Sequence, residues 1–270
     1  MTQLDAYLQR IGDGGSLAPT FETLARLHRQ HLLTIPYENF DIHRGQTLSL
    51  DPQKTFDKIV TGQRGGWCYE MNGLFARMLR EIGFDVTLLA SGVTDQFEGD
   101  GSIGEHLILL VKIDGQPYLA DVGFGNGLIE PIPLEAGEYQ QGYLKFPLLR
   151  DGGRWFFPNH QYGGAGFVFT LQPRTMDYFA ERCHWLQTEP TSRFVQKTIS
   201  FRFTPEGYHM LYGAVLTTVT AQGKSERLVE NRTSYEQVLN DLLDLHLPDT
   251  AAIWEKVWAR HQAWVAAGKP

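Results

Sequence analysis

Two cysteines, Cys68 and Cys183, are all that the 270 residues contain. A single possible pair cannot build the disulfide framework of a small secreted domain, and a structural bridge is not expected. Long apolar runs are missing as well. Nowhere do about 18 apolar residues follow one another, which leaves no candidate for a membrane-spanning helix. The opening stretch MTQLDAYLQRIGDGG has neither the apolar centre of a signal peptide nor an Arg-rich leader, so a cytoplasmic protein with reduced thiols is expected. Positive charge is in the minority, with a formal net charge of −7 and a pI near 5.7. There is no basic stripe, which argues against a nucleic-acid partner, and any anionic ligand has to be held by a local cluster. Repeats, low-complexity tracts and linkers are lacking too, and the chain reads as one packed body.

What is present is an ordinary globular composition, 42% hydrophobic and 20% charged, with core enough for an enzyme. Punctuation divides the chain into three blocks. Residues 1–84 carry helical periodicity. In TFETLARLHRQHLL the positions Phe21, Leu24, Leu27, His28, His31 and Leu32 share one face, and Asp51 before Pro52 is a capped helix start. After Cys68 the apolar positions Met71, Leu74, Phe75, Met78, Leu79 and Ile82 recur at helical spacing until Gly83 stops them. Residues 85–190 open with short β runs, DVTLLASGV, HLILLVKI, QPYLADVGF and GFVFTL, which predict a barrel or a small sandwich. Residues 191–270 hold three strands, TISFRF, YHMLYG and AVLTTVT, then two helices. Thr233 with Glu236 reads as a capping box for the first helix. Ile253, Trp254, Val257, Trp258, His261, Trp264 and Val265 read as the buried stripe of the second.

One cysteine stands out by position. In RGGWCYEMNGLF, residues 64–75, Cys68 follows a Gly-Gly-aromatic turn and opens the helix that ends at Gly83. Free N–H groups and the positive dipole end of a first turn favour an anion, and such sites lower a thiol pKa from about 8.5 to roughly 3.5–7.5. A reactive thiolate is expected there. The alternative is a cysteine merely buried after a loop. Gly65 and Gly66 would keep the backbone open beside a reacting atom and leave room for a substrate.

A thiolate nucleophile needs a base and a group that orients it. Asp114-Gly115, between two apolar runs, predicts a two-residue hairpin turn. If these residues are the whole loop, Ile113 faces Gln116, Ile108 faces Asp121 and His106 faces Gly123. His106 and Asp121 then lie diagonally on one sheet face, as the base and orienter of a Cys-His-Asp set. Asp121, in the apolar strand YLADVGF, also needs a partner if it is buried. The competing reading leaves both at strand ends in water. His28 and His31, three residues apart, lack a third ligand; they are expected to be half-buried on their helix, and no metal is expected. GFGNG at 123–127 lacks the lysine of a phosphate loop and reads as bare backbone that a ligand can pass closely.

The blocks IPYENFDI, RGGWCYEMNGLF, HLILLV with LADVGFG, and HWLQTEPTSRF resemble, in order and over essentially the whole chain, those of the arylamine N-acetyltransferase family. The resemblance implies an α+β fold: an N-terminal helical bundle (1–84) carrying the nucleophile, a central β-barrel (85–190) carrying the base and its orienter, and a C-terminal α/β lid domain (191–270). The family's papain-like triad falls on Cys68, His106 and Asp121. Acetyl coenzyme A is the implied co-substrate, and the implied acceptors are arylamines, arylhydrazines and arylhydroxylamines, reached by a ping-pong route through the cysteine. Backbone N–H groups around Cys68 would hold the oxyanion. The matching blocks also pair Arg64 with Glu38. Tyr37, Gly104 and Phe124 are expected to line the acceptor and pantetheine cleft, with Trp67 and Tyr69 adding aromatic surroundings. Cys183 stands where relatives usually carry asparagine and is not expected to alter the chemistry. A thiol hydrolase or amide synthase could use the same triad, and a silent binding module could keep the scaffold. The oligomeric state stays open.

Overall fold

The computed structural model describes residues 1–94 and 104–268. Sequence periodicity becomes structure most directly in the N-terminal block. The Thr2 and Thr20 side chains cap helices α1 (Gln3–Ile11) and α2 (Phe21–Thr34), each accepting a first-turn N–H. The two-residue strand β1 (Tyr37–Glu38) and the short helix α3 (Phe40–His43) follow. Asp51 caps α4 (Pro52–Phe56), which runs on as a π-helical turn, Asp57–Thr61. Helix α5 (Cys68–Ile82) starts at the expected cysteine and stops at Gly83, whose φ of +110° costs glycine little.

Eight strands form an antiparallel sheet: β2 (Asp85–Thr94), β3 (His106–Ile113), β4 (Gln116–Ala120), β5 (Ile132–Pro133), β6 (Gly137–Gln141), β7 (Leu144–Asp151), β8 (Arg154–Phe157) and β9 (Gly166–Arg174). Their order, β5-β4-β3-β2-β9-β8-β7-β6, curls into a near-barrel around Leu89, Ile108, Phe146, Phe157 and Phe167. Among the described residues no ladder joins the edge strands β5 and β6. The Gln141 side chain of β6 instead holds the segment just before β5, Oε1 accepting the N–H groups of Ile129 and Glu130 at 2.8 and 3.1 Å while Nε2 donates to the Glu130 carbonyl at 2.7 Å. β3 is buried on both faces. Leu107, Leu109 and Val111 pack in the same core as α5, whereas Ile108 and Leu110 point into the near-barrel, the parity that His106 shares.

Helices α6 (Ala180–Thr188) and α7 (Arg193–Gln196) lead to the second sheet, β10 (Ile199–Thr204), β11 (Gly207–Tyr212), β12 (Val215–Thr220) and β13 (Gly223–Leu228). β1 joins it at the β10 edge, so the N-terminal block contributes a strand to the C-terminal sheet. Helix α8 (Arg232–Gln237) begins differently from expectation. Asn231, a stronger cap two residues earlier, accepts the Ser234 N–H at 2.9 Å, and the Thr233–Glu236 box is not used as the start. On α9 (Thr250–Ala266) the expected stripe fades. Ile253, Trp254 and Val257 are buried, Trp258 and His261 half-buried, and Trp264 and Val265 are 37% and 55% exposed. Among the described residues no helix is long and apolar enough to cross a membrane.

Buried charge fixes the loop into α5. Arg64 Nη2 donates to Glu38 Oε1 at 2.6 Å and to Asp41 Oδ1 at 2.9 Å, while Lys58 Nζ lies 2.9 Å from both Asp41 Oδ2 and Glu70 Oε2. Glu70 also accepts the Trp67 N–H, and Glu38 the Phe40 N–H. Burial opposes each of these charges. For Lys58 and Arg64 the surrounding carboxylates outweigh it and raise the pKa, whereas burial pushes the Glu70 carboxyl up. Gly65 and Gly66 serve this packing rather than leaving room for a ligand, a correction to expectation: a Cβ at 65 would lie 2.1 Å from the Pro36 carbonyl oxygen, and one at 66 would lie 2.9 Å from Glu70 Cβ. Removing Arg64 leaves the fully buried Glu38 with only the Phe40 N–H and Lys58 Nζ at 3.9 Å, and breaking a buried pair costs about 3–5 kcal/mol. Arg64→Ala is therefore expected to lower the calorimetric melting temperature by about 5 °C or more. An unchanged value would show that the loop is held by something else.

Candidate active site

Asp114 (φ +50°) and Gly115 (φ +84°) make the whole turn between β3 and β4, and Ile113 faces Gln116 as expected. The ladder stops at Leu109–Ala120, one pair short of Ile108–Asp121. Asn72 takes its place. One turn beyond Cys68 on α5, its Nδ2 donates to the Leu107 carbonyl at 2.6 Å and to Asp121 Oδ1 at 2.8 Å, and its Oδ1 accepts the Val122 N–H at 2.9 Å. Gly123 consequently turns in against α5 instead of facing His106. A Cβ there would lie 2.8 Å from Cys68 Cα and 2.6 Å from Asn72 Nδ2.

His106 and Asp121 meet all the same, Nε2 to Oδ2 at 2.7 Å, both buried. The carboxylate is held further by the Gly123 N–H at 2.8 Å. Phe124 and Phe167 pack the imidazole, with ring centroids 5.0 and 5.4 Å away. With Nε2 engaged, Nδ1 is the nitrogen left for a reaction partner. Cys68 opens α5 at 2% exposure, its Sγ 3.8 Å from the Glu105 carbonyl oxygen. Cys68, His106, Tyr37 and Phe124 share the wall of a cavity of about 390 Å³, and Asp121 stands behind the imidazole.

Burial pushes the Cys68 thiol up from its ordinary value; Cys183 and Asp121 add to the rise, while the Leu107 N–H and Arg193 oppose it. Burial thus acts against the thiolate that the helix terminus favours. His106 lines the same cavity wall as this sulfur. Cys183 is a second free, buried thiol, pushed up by burial to about 12, with Sγ 3.6 Å from Gln187 Nε2.

Of the residues expected in the cleft, Tyr37 and Phe124 line the cavity. Gly104 is not among its described lining residues; its carbonyl accepts the Tyr69 hydroxyl at 2.6 Å. Trp67 and Tyr69 are fully buried and meet edge-on at 5.1 Å, as core rather than cleft residues. Sequence reasoning passed over two supports. Asn72 was visible as a polar residue one turn from Cys68 on an apolar face. His28, expected to be half-buried, is fully buried: Nδ1 donates to the Ile129 carbonyl at 2.9 Å and Nε2 accepts the Asp121 N–H at 3.1 Å, so only the neutral tautomer satisfies both. Among the described residues no group of three or more His, Cys, Asp or Glu is placed to hold a metal.

Burial lowers the His28 imidazole from 6.5 to about 4. His43 and His160 are lowered to about 4 in the same way. A folded pKa below the unfolded one means that the stabilisation is complete above about pH 6.5 and is lost as pH falls toward about 4. Unfolding free energy from urea titrations should therefore decline across that window, and His28→Gln should decline less steeply, by about one proton. Equal slopes would contradict a neutral buried His28.

A model of the N-acetyltransferase family matches residues 20–252. Over 265 residues the chain is 36% identical to arylamine N-acetyltransferase 1 of Bos taurus and 33% identical to arylamine N-acetyltransferase 1 of Homo sapiens, in each case over 89% of this chain and 91% of the relative. The solved arylamine N-acetyltransferase of Mycobacterium marinum superposes with a TM-score of 0.87 at 28% identity, over 94% of this chain and 98% of that one. The same M. marinum enzyme in complex with CoA gives 0.84 at 28% identity, again over 94% and 98%. Sequence and backbone agree along nearly the whole length, and the chain belongs to the arylamine N-acetyltransferase family, whose members are acyltransferases.

Proposed function

We propose that the chain transfers the acetyl group of acetyl coenzyme A to the nitrogen of arylamines and arylhydrazines, and to the oxygen of arylhydroxylamines, by a ping-pong route through acetyl-Cys68. One arrangement carries this reading: a buried thiol and an imidazole face one cavity, and the far nitrogen of that imidazole is bound at 2.7 Å to a buried carboxylate. The CoA complex of the M. marinum relative supports the donor. In this reading residues 1–84 supply the nucleophile and residues 85–190 the base and its orienter. Residues 191–270 cover the cavity, to whose wall they contribute Phe194, Phe201 and Tyr212. A cytoplasmic setting would keep both thiols reduced.

Because burial disfavours a free thiolate, the proton leaves sulfur for His106 Nδ1 as the thioester carbon is attacked. First-turn N–H groups at Cys68, which lack intrahelical acceptors, face the developing oxyanion. Collapse of the adduct breaks the carbon–sulfur bond of the donor, and the imidazolium returns the proton to the departing thiol. The amine then attacks acetyl-Cys68, His106 takes its proton and passes it to the cysteine sulfur, and the amide leaves. Asp121 fixes the imidazole throughout, and the Asn72 and Gly123 donors keep the carboxylate from rotating.

Intact-protein mass spectrometry after mixing with acetyl coenzyme A, without amine, should find one acetyl group on Cys68. Cys68→Ser should remain unmodified and Cys183→Ser should still be acetylated; modification of Cys183 alone would sink the assignment. Acceptor choice separates transfer from hydrolysis. An aromatic amine delocalises its lone pair into the ring and is neutral at pH 7, whereas an alkyl amine is an ammonium ion that cannot attack. Arylamines should accelerate coenzyme A release at least about tenfold over water, about 1.4 kcal/mol in barrier, with alkyl amines doing little. Release at the same rate with no amine present would make the protein a thioesterase.

A further inference from the structure

The cavity that holds Cys68 is not the only one walled by α5. On another face of the helix, Tyr69, Gly73, Ala76 and Arg80 recur at helical spacing and line a separate cavity of about 380 Å³, which shares no described lining residue with the first. Leu50, Leu88 and Met176 supply facing walls from three other segments. Charge enters the lining only with Arg77, Arg80 and Glu81. Two of these are already engaged: Arg77 Nε lies 3.4 Å from Glu81 Oε1, and Arg77 Nη2 donates to the Gln3 side chain. Arg80 is exposed and gives Nη2 to the Val86 carbonyl at 2.8 Å, and among the described residues no carboxylate lies within ion-pair distance of it. Gly73 is the second unusual feature. Glycine inside a 15-residue helix weakens it relative to alanine, yet no positive φ requires one here. Outside the helix a Cβ would meet only the Met176 side chain, 3.5 Å from Cε and 3.9 Å from Sδ, which are ordinary contacts. What a larger side chain at this position would remove is the cavity.

We propose that this cavity is a ligand site for a small aromatic monocarboxylate, with the rings against Tyr69 and Met176 and the carboxylate on Arg80. The site stands whether or not the acetyl-transfer reading does. Its volume lies at the small end of the range of ligand pockets, about 300–1,000 Å³, which suits a body of one or two rings. The Met176 thioether favours an aromatic partner and adapts to its outline. Tyr69 offers a wall that is already fixed, because its hydroxyl donates to the Gly104 carbonyl at 2.6 Å and its ring meets Trp67 edge-on at 5.1 Å. A guanidinium binds carboxylate through two parallel hydrogen bonds, and Arg80 has no competing carboxylate partner among the described residues. Glu81 on the same lining opposes a second negative charge, so a monocarboxylate fits better than a phosphate ester. Arg80 is exposed, and solvent screening keeps the contribution of its charge to about fivefold in affinity.

Isothermal titration calorimetry with 2-naphthoate and its uncharged analogue 2-naphthamide tests the site in the wild type, Arg80→Gln and Gly73→Leu. The wild type is expected to bind naphthoate with a Kd below about 1 mM, and the amide about fivefold more weakly. Arg80→Gln should erase the advantage of the acid and leave the amide unchanged, which separates the charge from any general loosening of the fold. Gly73→Leu fills the cavity and should abolish binding of both. Because leucine could disturb α5, Gly73→Ala gives an independent reading: alanine is the better helix former and meets only Met176, so the melting temperature should rise. A fall would mean that packing requires the glycine and would overturn its role in keeping the cavity open. The proposal is overturned by absence of naphthoate binding to the wild type, or by equal affinities for acid and amide. It is overturned equally by an advantage of the acid that survives Arg80→Gln or by binding undiminished in Gly73→Leu, either of which would place naphthoate in another cavity.

Discussion

The relation between helix α5 and strand β3 rests on one carboxamide. Asn72 has two N–H donors and spends both across the gap, on the Leu107 carbonyl and on Asp121, while its oxygen takes the Val122 N–H. It stands in for the next rung of the β3–β4 ladder, and the substitution has two consequences. The chain after Ala120 is freed to bend, which lets Gly123 approach the Cys68 backbone more closely than any side chain would permit. The same amide also locks the thiol-bearing helix and the carboxylate behind His106 into one rigid unit. A partly satisfied amide in that position would cost more than an apolar residue, so the three bonds stand or fall together.

Two kinds of buried polar group flank that clamp. On one side lie charges, with Arg64 and Lys58 among Glu38, Asp41 and Glu70 tying the loop before Cys68 to β1, α3 and α5. On the other lies a neutral imidazole, His28, holding the backbone of Asp121 to α2. The difference follows from surroundings. In the first group opposite charge outweighs desolvation at Lys58, Arg64 and Asp41, though not at Glu70; the second has a carbonyl and an amide N–H, partners that favour the uncharged ring. Each fixes one end of the same short path from Cys68 through His106 to Asp121.

Short-range features were legible in the sequence and long-range ones were not. The Asp114-Gly115 turn follows from two residues that tolerate positive φ, and the limits of α5 follow from apolar spacing and Gly83. The His106–Asp121 contact was legible too, though by an incomplete route, since the register argument assumed that pairing continues past Ala120. Asn72 ends it, and an insertion from a helix about fifty residues away leaves no trace in strand alternation. β13 was missed because GKSERL is polar and exposed at a sheet edge, and β6 because GEYQQ shows no clean period. β1 is two residues long and is a strand only because β10 pairs with it. The fading stripe of α9 is a tertiary outcome that local preference does not decide, whereas the Asn231 cap is local and stood two residues before the Thr233 chosen from the sequence.

The acidity of Cys68 shows most clearly why position along the chain was not enough. From the sequence, a helix N-terminus argues for a low thiol pKa, and the helix does begin at that residue. The folded chain then brings other segments to the sulfur. Burial raises the pKa, with Cys183 of α6 and Asp121 beyond β4 acting in the same sense, while the Leu107 N–H of β3 and Arg193 of α7 act against them. None of these is a neighbour in sequence, and the largest influence is the exclusion of water, which no residue supplies alone. The thiol is therefore tuned by the assembled fold.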